Sequence, residues 1–193
     1  MSAPLILAST SSFRRDLLQR LCLPFEVCAP GVAEDHLLGE TPAARATRLA
    51  LAKARAVASL RADAVVIGSD QVAVCGDAVL DKPGDVAGCR RQLALLSGRA
   101  ATFHTAVAVL CRAQNFQDCF TDVTELQFRR LAGAEIDRYI ELDQPLQCAG
   151  SFRSESLGIT LFERISCQDP TGLIGLPLMR LAQSLRAAGY NLP

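Results

Sequence analysis

The chain has 193 residues, half of them hydrophobic, with 20 Lys and Arg balanced against 20 Asp and Glu. A neutral, apolar-rich chain is neither disordered nor drawn by its overall charge to nucleic acid or an anionic membrane surface. No apolar run approaches the roughly 20 residues that cross a bilayer, and the N-terminus lacks the basic region and apolar core of a signal peptide. The expectation is a soluble, cytoplasmic protein of one domain spanning 1–193, with no membrane or nucleic-acid partner.

Leu5-Ile6-Leu7-Ala8 reads as a buried strand. The hydroxyl residues that follow suit a helix N-cap, and Arg14 to Leu21 has helical apolar spacing. Phe25 to Ala29 reads as a second strand, and Thr41-Pro42 as N-cap and first residue of a helix to about Leu60. Ala64 to Asp70 is a buried strand by its β-branched residues. Lys82-Pro83-Gly84 is a turn, Val86 to Leu96 a helix, and Ser97-Gly98 its stop. Ala101 to Leu110 and Phe116 to Phe128 suit a hairpin around Arg112-Ala113-Gln114-Asn115. Glu135 to Leu142 is expected to be helical, Leu157 to Glu163 a strand, and Pro177 to Ala188 a closing amphipathic helix. This order predicts an α/β protein with an elongated mixed sheet and helices packed around it.

Eight cysteines (Cys22, Cys28, Cys75, Cys89, Cys111, Cys119, Cys148 and Cys167) form no CxxC pair, and only His36 and His104 accompany them. Buried free thiols are expected rather than a disulfide framework or a zinc site.

The opening Ser9-Thr10-Ser11-Ser12-Phe13-Arg14-Arg15 joins a strand end to a helix N-terminus. There, free N–H groups, hydroxyls and guanidinium forks suit phosphate oxygens. The plain alternative is a capped helix with surface arginines. Asp70, placed at the carboxyl end of its strand, suits a divalent cation or proton transfer from water, a turn aspartate being the alternative. Glu34, Lys53 and the Asp81-Lys82-Pro83 segment add carboxylates and cations. Singly they read as solvated side chains; with Arg14 they match the needs of phosphoryl chemistry. There is no GxxxxGK[ST] loop, no GxGxxG and no GxSxG.

In LILASTSSFRR, Glu34-Asp35, the Lys53 helix, IGSDQV at 67–72, DKP at 81–83, Ser97-Gly98, CAGSFRSESLGITLFER at 148–164 and GLIGLP at 172–177, the chain resembles the Maf family of nucleoside triphosphate pyrophosphatases, over essentially its whole length. The likeness is to the YceF-like subgroup, which acts on 7-methyl-GTP. It implies a Maf/ITPase-like fold of two lobes with a cleft between them. It also implies hydrolysis between the α and β phosphates with a divalent cation, Mg2+ or Mn2+, and a homodimer. Asp70 would accept a proton from water close to the metal, and Glu34 would help hold the cation. Ser9, Arg14, Lys53 and Lys82 would grip the triphosphate, with Arg15 the lesser candidate.

The subgroup's specificity positions fall on Phe13, Gln71 and Glu155. Methylation at N7 makes guanine cationic, so an aromatic face attracts it, and a carboxylate accepts from its N–H donors. Ser12 stands where the family usually has proline, and Phe13 where the subgroup commonly has tryptophan, a stronger cation–π partner. A helix residue packed into the core is the other reading of Phe13. Two other functions stay open: the same chemistry on canonical or other modified nucleotides, and a nucleotide-binding regulator of cell division without turnover.

Overall fold

The computed structural model describes residues 3–193. In chain order the elements are β1 (Leu5–Ala8), α1 (Ser12–Gln19), β2 (Glu26–Val27), α2 (Pro42–Leu60), β3 (Val65–Cys75), β4 (Ala78–Val79) and α3 (Val86–Leu96). They continue with β5 (Ala100–Cys111), β6 (Phe116–Phe128), α4 (Gly133–Asp143), 3-10 turns at Ala149–Ser151 and Leu157–Leu161, β7 (Phe162–Ser166) and α5 (Leu178–Ala187). The seven strands form one mixed sheet in the order β2-β1-β3-β5-β6-β7, with β4 paired to β3. The expected α/β architecture with a mixed sheet and flanking helices is what the chain adopts.

The chain divides into two compact units. The first comprises Met1–Gln71, Thr105–Asp122 and Asp169–Pro193. Within it β1 runs parallel to both β2 and β3, with Leu5 opposite Val65 and Ala8 opposite Gly68. Strand alternation sends Leu5, Leu7, Val65 and Ile67 to one face, where Leu17 and Leu18 of α1 and Leu181 and Leu185 of α5 complete a buried core. The other face meets α2, whose buried stripe runs Ala46, Leu49, Ala50, Lys53, Ala54 and Val57. Its alanines let helix and strand approach so closely that a Cβ on Gly68 would overlap the Ala50 carbonyl and lie 2.6 Å from the Ala54 nitrogen. Caps begin the helices as their sequences suggest: Ser11 accepts from the Arg14 N–H, and Thr41 accepts from the Ala44 N–H ahead of Pro42.

The second unit comprises Val72–His104 and Val123–Gln168. Its core holds Phe103, Phe128, Phe152 and Phe162 edge to face, with ring centroids 4.9–5.7 Å apart. β6 pairs antiparallel with β7, and β4 folds back on β3 through Val79 opposite Val74.

Several boundaries differ from the sequence reading. β3 does not stop at Asp70 but continues to Cys75, because β4 supplies a partner beyond the end of β1. β2 is only two residues long. Leu157 to Leu161 is a 3-10 turn rather than strand: Leu157 and Ile159 are exposed, and the segment satisfies itself through Ile159 N–H to Ser156 C=O and Thr160 Oγ1 to Leu157 C=O. All eight cysteines are free, yet only Cys75, Cys89 and Cys111 are buried.

Candidate active site

Asp70 lies two residues beyond Gly68, the last β3 residue paired with β1, so it still marks the carboxyl edge of the parallel strands although β3 runs on. Its side chain faces α2. Lys53 sits on the buried stripe of that helix, and its Nζ donates to Asp70 Oδ1 at 2.6 Å and pairs with Glu34 Oε1, also at 2.6 Å. Lys53 and Asp70 are nearly sealed, at 8% and 9% side-chain exposure, whereas Glu34 is 55% exposed. Burial pushes the Asp70 carboxyl above its ordinary range, against the pull of Lys53 and Arg14. Desolvation in turn lowers the Arg14 guanidinium, while Asp70 and Glu34 favour its charge.

Glu34 comes from the loop between β2 and α2, and arginines on α2 pin that loop. Arg45 Nη2 donates to the Glu34 carbonyl at 3.2 Å. Arg48 Nη2 donates to the Asp35 carbonyl at 2.9 Å, and its guanidinium forks onto both oxygens of Glu40 at 2.7 Å each. Arg48 holds the Glu40 carboxyl below its ordinary range. Two carboxylates meeting at one ammonium suit a hard divalent ion, which takes one or two carboxylates and fills its shell with water and phosphate oxygens. Among the described residues no group of three or more His, Cys, Asp or Glu is placed to hold a metal, so substrate oxygens would have to complete such a site.

The opposite face of β3 carries Ser69 and Gln71, and both hold the loop leading into α5. Ser69 Oγ and Arg14 Nε donate to the Gly175 carbonyl at 3.1 and 2.9 Å. Gln71 Nε2 donates toward Thr105 Oγ1, Leu173 O and Gly172 O at 2.8, 3.0 and 3.2 Å. Asp169 nucleates the loop by accepting from the Thr171 N–H and hydroxyl and from the Met179 N–H. Gly175, at φ 126°, holds a conformation few side chains adopt, and a Cβ on Gly172 would overlap the Asp122 carboxylate.

Arg14, Glu34, Lys53 and Asp70 are thus brought together, with Gln71 on the reverse face of the same strand. Ser9 is buried at the end of β1 and accepts from the Ser11 N–H at 3.1 Å. Phe13 is half-buried in the first turn of α1; Arg15 is exposed and pairs with Asp16 at 3.0 Å. Lys82 and Glu155 belong to the second unit, both exposed: Lys82 follows β4, and Glu155 lies in the turn before Leu157. That turn is anchored by buried Asp143, which accepts from Arg153, Ser156 and the Tyr139 hydroxyl at 2.6–2.7 Å. Burial works against the charge of Asp143, but those donors hold its carboxyl below the ordinary range. Sequence reasoning passed over Arg48, Thr105, Asp143 and Asp169. GLIGLP was noted without a role, and only its glycines signalled that the backbone itself is in use.

Residues 4–188 match the family described as Maf-like protein. The chain belongs to the Maf family. A 7-methyl-GTP pyrophosphatase of Polaromonas sp. is 51% identical over 191 residues, covering 99% of this chain and 87% of that protein. One of Xanthomonas oryzae pv. oryzae is 50% identical over the full length of both. Among solved structures, the Staphylococcus aureus Ham1 protein aligns over 97% of this chain and all of its own, with a TM-score of 0.54 at 13% identity, a likeness of fold alone.

Proposed function

We propose that the protein hydrolyses the α–β phosphoanhydride bond of 7-methyl-GTP, releasing 7-methyl-GMP and pyrophosphate and so removing a modified nucleotide. It is then a hydrolase acting on acid anhydrides, with 1–193 as one catalytic domain. The observation that carries the chemistry is the Lys53 ammonium joining buried Asp70 to Glu34 beside Arg14. Full-length relatives at about half identity that bear the name 7-methyl-GTP pyrophosphatase support the substrate.

In this reading Asp70 is the proton acceptor for the attacking water, its basicity raised by burial. The water oxygen bonds to the α phosphorus, its proton passes to Asp70, and pyrophosphate leaves. Ser9, Arg14, Lys53 and Lys82, with Arg15 in a lesser part, grip the triphosphate and offset its charge. Asp70 and Glu34 would hold Mg2+ or Mn2+, which supplies positive charge to the phosphate oxygens when bound. Phe13, Gln71 and Glu155 select the base, Phe13 by its ring face toward cationic 7-methylguanine. The proposal extends to a cytoplasmic homodimer. No helix among the described residues is long and apolar enough to cross a membrane.

The test is pyrophosphate release with Mg2+ or Mn2+ from 7-methyl-GTP against thymidine and uridine triphosphates. Faster release from 7-methyl-GTP is expected; the reverse ranking overturns the substrate. Asp70→Asn is expected to lose about a thousandfold in kcat while retaining nucleotide affinity.

A further inference from the structure

The Gln71 amide has two chemically opposite ends, and its surroundings decide which one a ligand meets. Its nitrogen faces three oxygens: Thr105 Oγ1 at 2.8 Å, Leu173 O at 3.0 Å and Gly172 O at 3.2 Å. Thr105, on β5, is 1% exposed, and its hydroxyl donates to the same Gly172 carbonyl at 2.9 Å. A hydroxyl has a single proton. With that proton committed to Gly172, Thr105 can only accept from Gln71. The reversed amide would set its oxygen against two carbonyl oxygens and a hydroxyl lone pair, with no donor among them. The network therefore assigns the orientation of the amide, nitrogen toward the loop and Oε1 away from it.

We propose that Thr105 is a positioning residue for specificity: its buried hydroxyl, the nearest of the three acceptors, joins the Gly172 and Leu173 carbonyls in fixing Gln71 so that the ligand meets only the carbonyl oxygen, favouring a base that offers N–H donors at that position. A guanine-type edge, with an imino N–H next to an amino group, supplies two adjacent donors. A uracil or thymine edge supplies one, flanked by carbonyls that the Gln71 oxygen repels. Thr105 acts through Gln71 and touches no substrate. The inference rests on the proposed 7-methyl-GTP reading and adds to it how the orientation of Gln71 is set.

The experiment compares Thr105→Val, which keeps the side-chain shape but lacks the hydroxyl, with Thr105→Ser, which keeps the hydroxyl. Both are assayed beside the parent on 7-methyl-GTP and uridine triphosphate. Thr105→Val is expected to lower the ratio of kcat/KM for 7-methyl-GTP over uridine triphosphate about tenfold, mainly through KM for 7-methyl-GTP. Thr105→Ser is expected to restore it to within about threefold. If Thr105→Val does not fold, Thr105→Cys carries the same comparison, because a thiol is a weak acceptor. An unchanged ratio, or a uniform loss of kcat on both nucleotides, overturns the positioning role while leaving the function standing. A parent that prefers uridine triphosphate overturns both.

Discussion

Lys53 is the residue on which the buried charges of the first unit converge. A lysine sealed to 8% exposure is tolerated because two carboxylates share its charge at 2.6 Å, and Asp70 is buried with it. Lys53→Met removes the cation and leaves Asp70 facing an apolar chain. A loss of about 3 kcal/mol at pH 8 is expected from urea denaturation. Without the lysine the Asp70 carboxyl rises further, so folding takes up a proton. The loss therefore shrinks as pH falls and Asp70 is neutralised, and a pH-independent loss would contradict this account. Asp70 was legible in the sequence as an acid closing a β-branched run, whereas Lys53 read by itself as a solvated helix lysine and stood out only through the family resemblance. Thr105 was not legible, since a threonine in an alternating strand carries no mark of a hydroxyl committed to a loop 67 residues further along the chain.

The pairing of α2 with β3 shows how an element depends on what it omits. Ala50 and Ala54 on the helix and Gly68 on the strand let the backbones come close, which brings Lys53 within reach of Asp70. Gly68→Ala is expected to cost about 3 kcal/mol in chemical denaturation, because the new methyl meets main-chain atoms that cannot rotate away. A second strain lies on β6, where the carboxylate of Asp122 is buried against Gly172 of the loop before α5. Burial, and then the charge of Asp169, push Asp122 up from an ordinary 3.8 to about 6. Between those values the unfolded chain gives up its proton before the folded one does, so this group lowers stability as pH rises from 4 to 6. Asp122→Asn is expected to unfold at higher denaturant than the parent above pH 7, with the advantage gone below pH 4; a constant gain across that range would speak against titration. The helix start at Thr41 was readable from its cap, and that of α1 from its run of hydroxyls, of which Ser11 is the cap. The end of β3 and the turn at 157–161 were not: one depends on β4, a strand of two residues too short to announce itself in the sequence, the other on hydrogen bonds that compete with alternation.

At the scale of the molecule, alternating apolar segments and caps announced an α/β chain, and the fold follows. The partition into two units was less readable, because β3, β5 and β6 are each continuous in sequence while their residues fall in different units. The first unit holds its acidic pair with an ammonium of its own, so the fold does not need a metal to keep those carboxylates together. Chelation with EDTA is expected to stop hydrolysis but to shift the nucleotide-free thermal midpoint by no more than about 1 °C. A large drop would mean that an ion contributes to the fold itself.

The loop of Gly172, Leu173 and Gly175 accepts hydrogen bonds from Arg14, Ser69, Gln71 and Thr105 through its carbonyl oxygens. Information held in the main chain is inherited differently from information held in side chains. Replacement of Gly172, where an added Cβ would overlap the Asp122 carboxylate, moves several of those oxygens at once. The stretch is therefore unforgiving in its glycines, because their backbone placement sets where those oxygens stand.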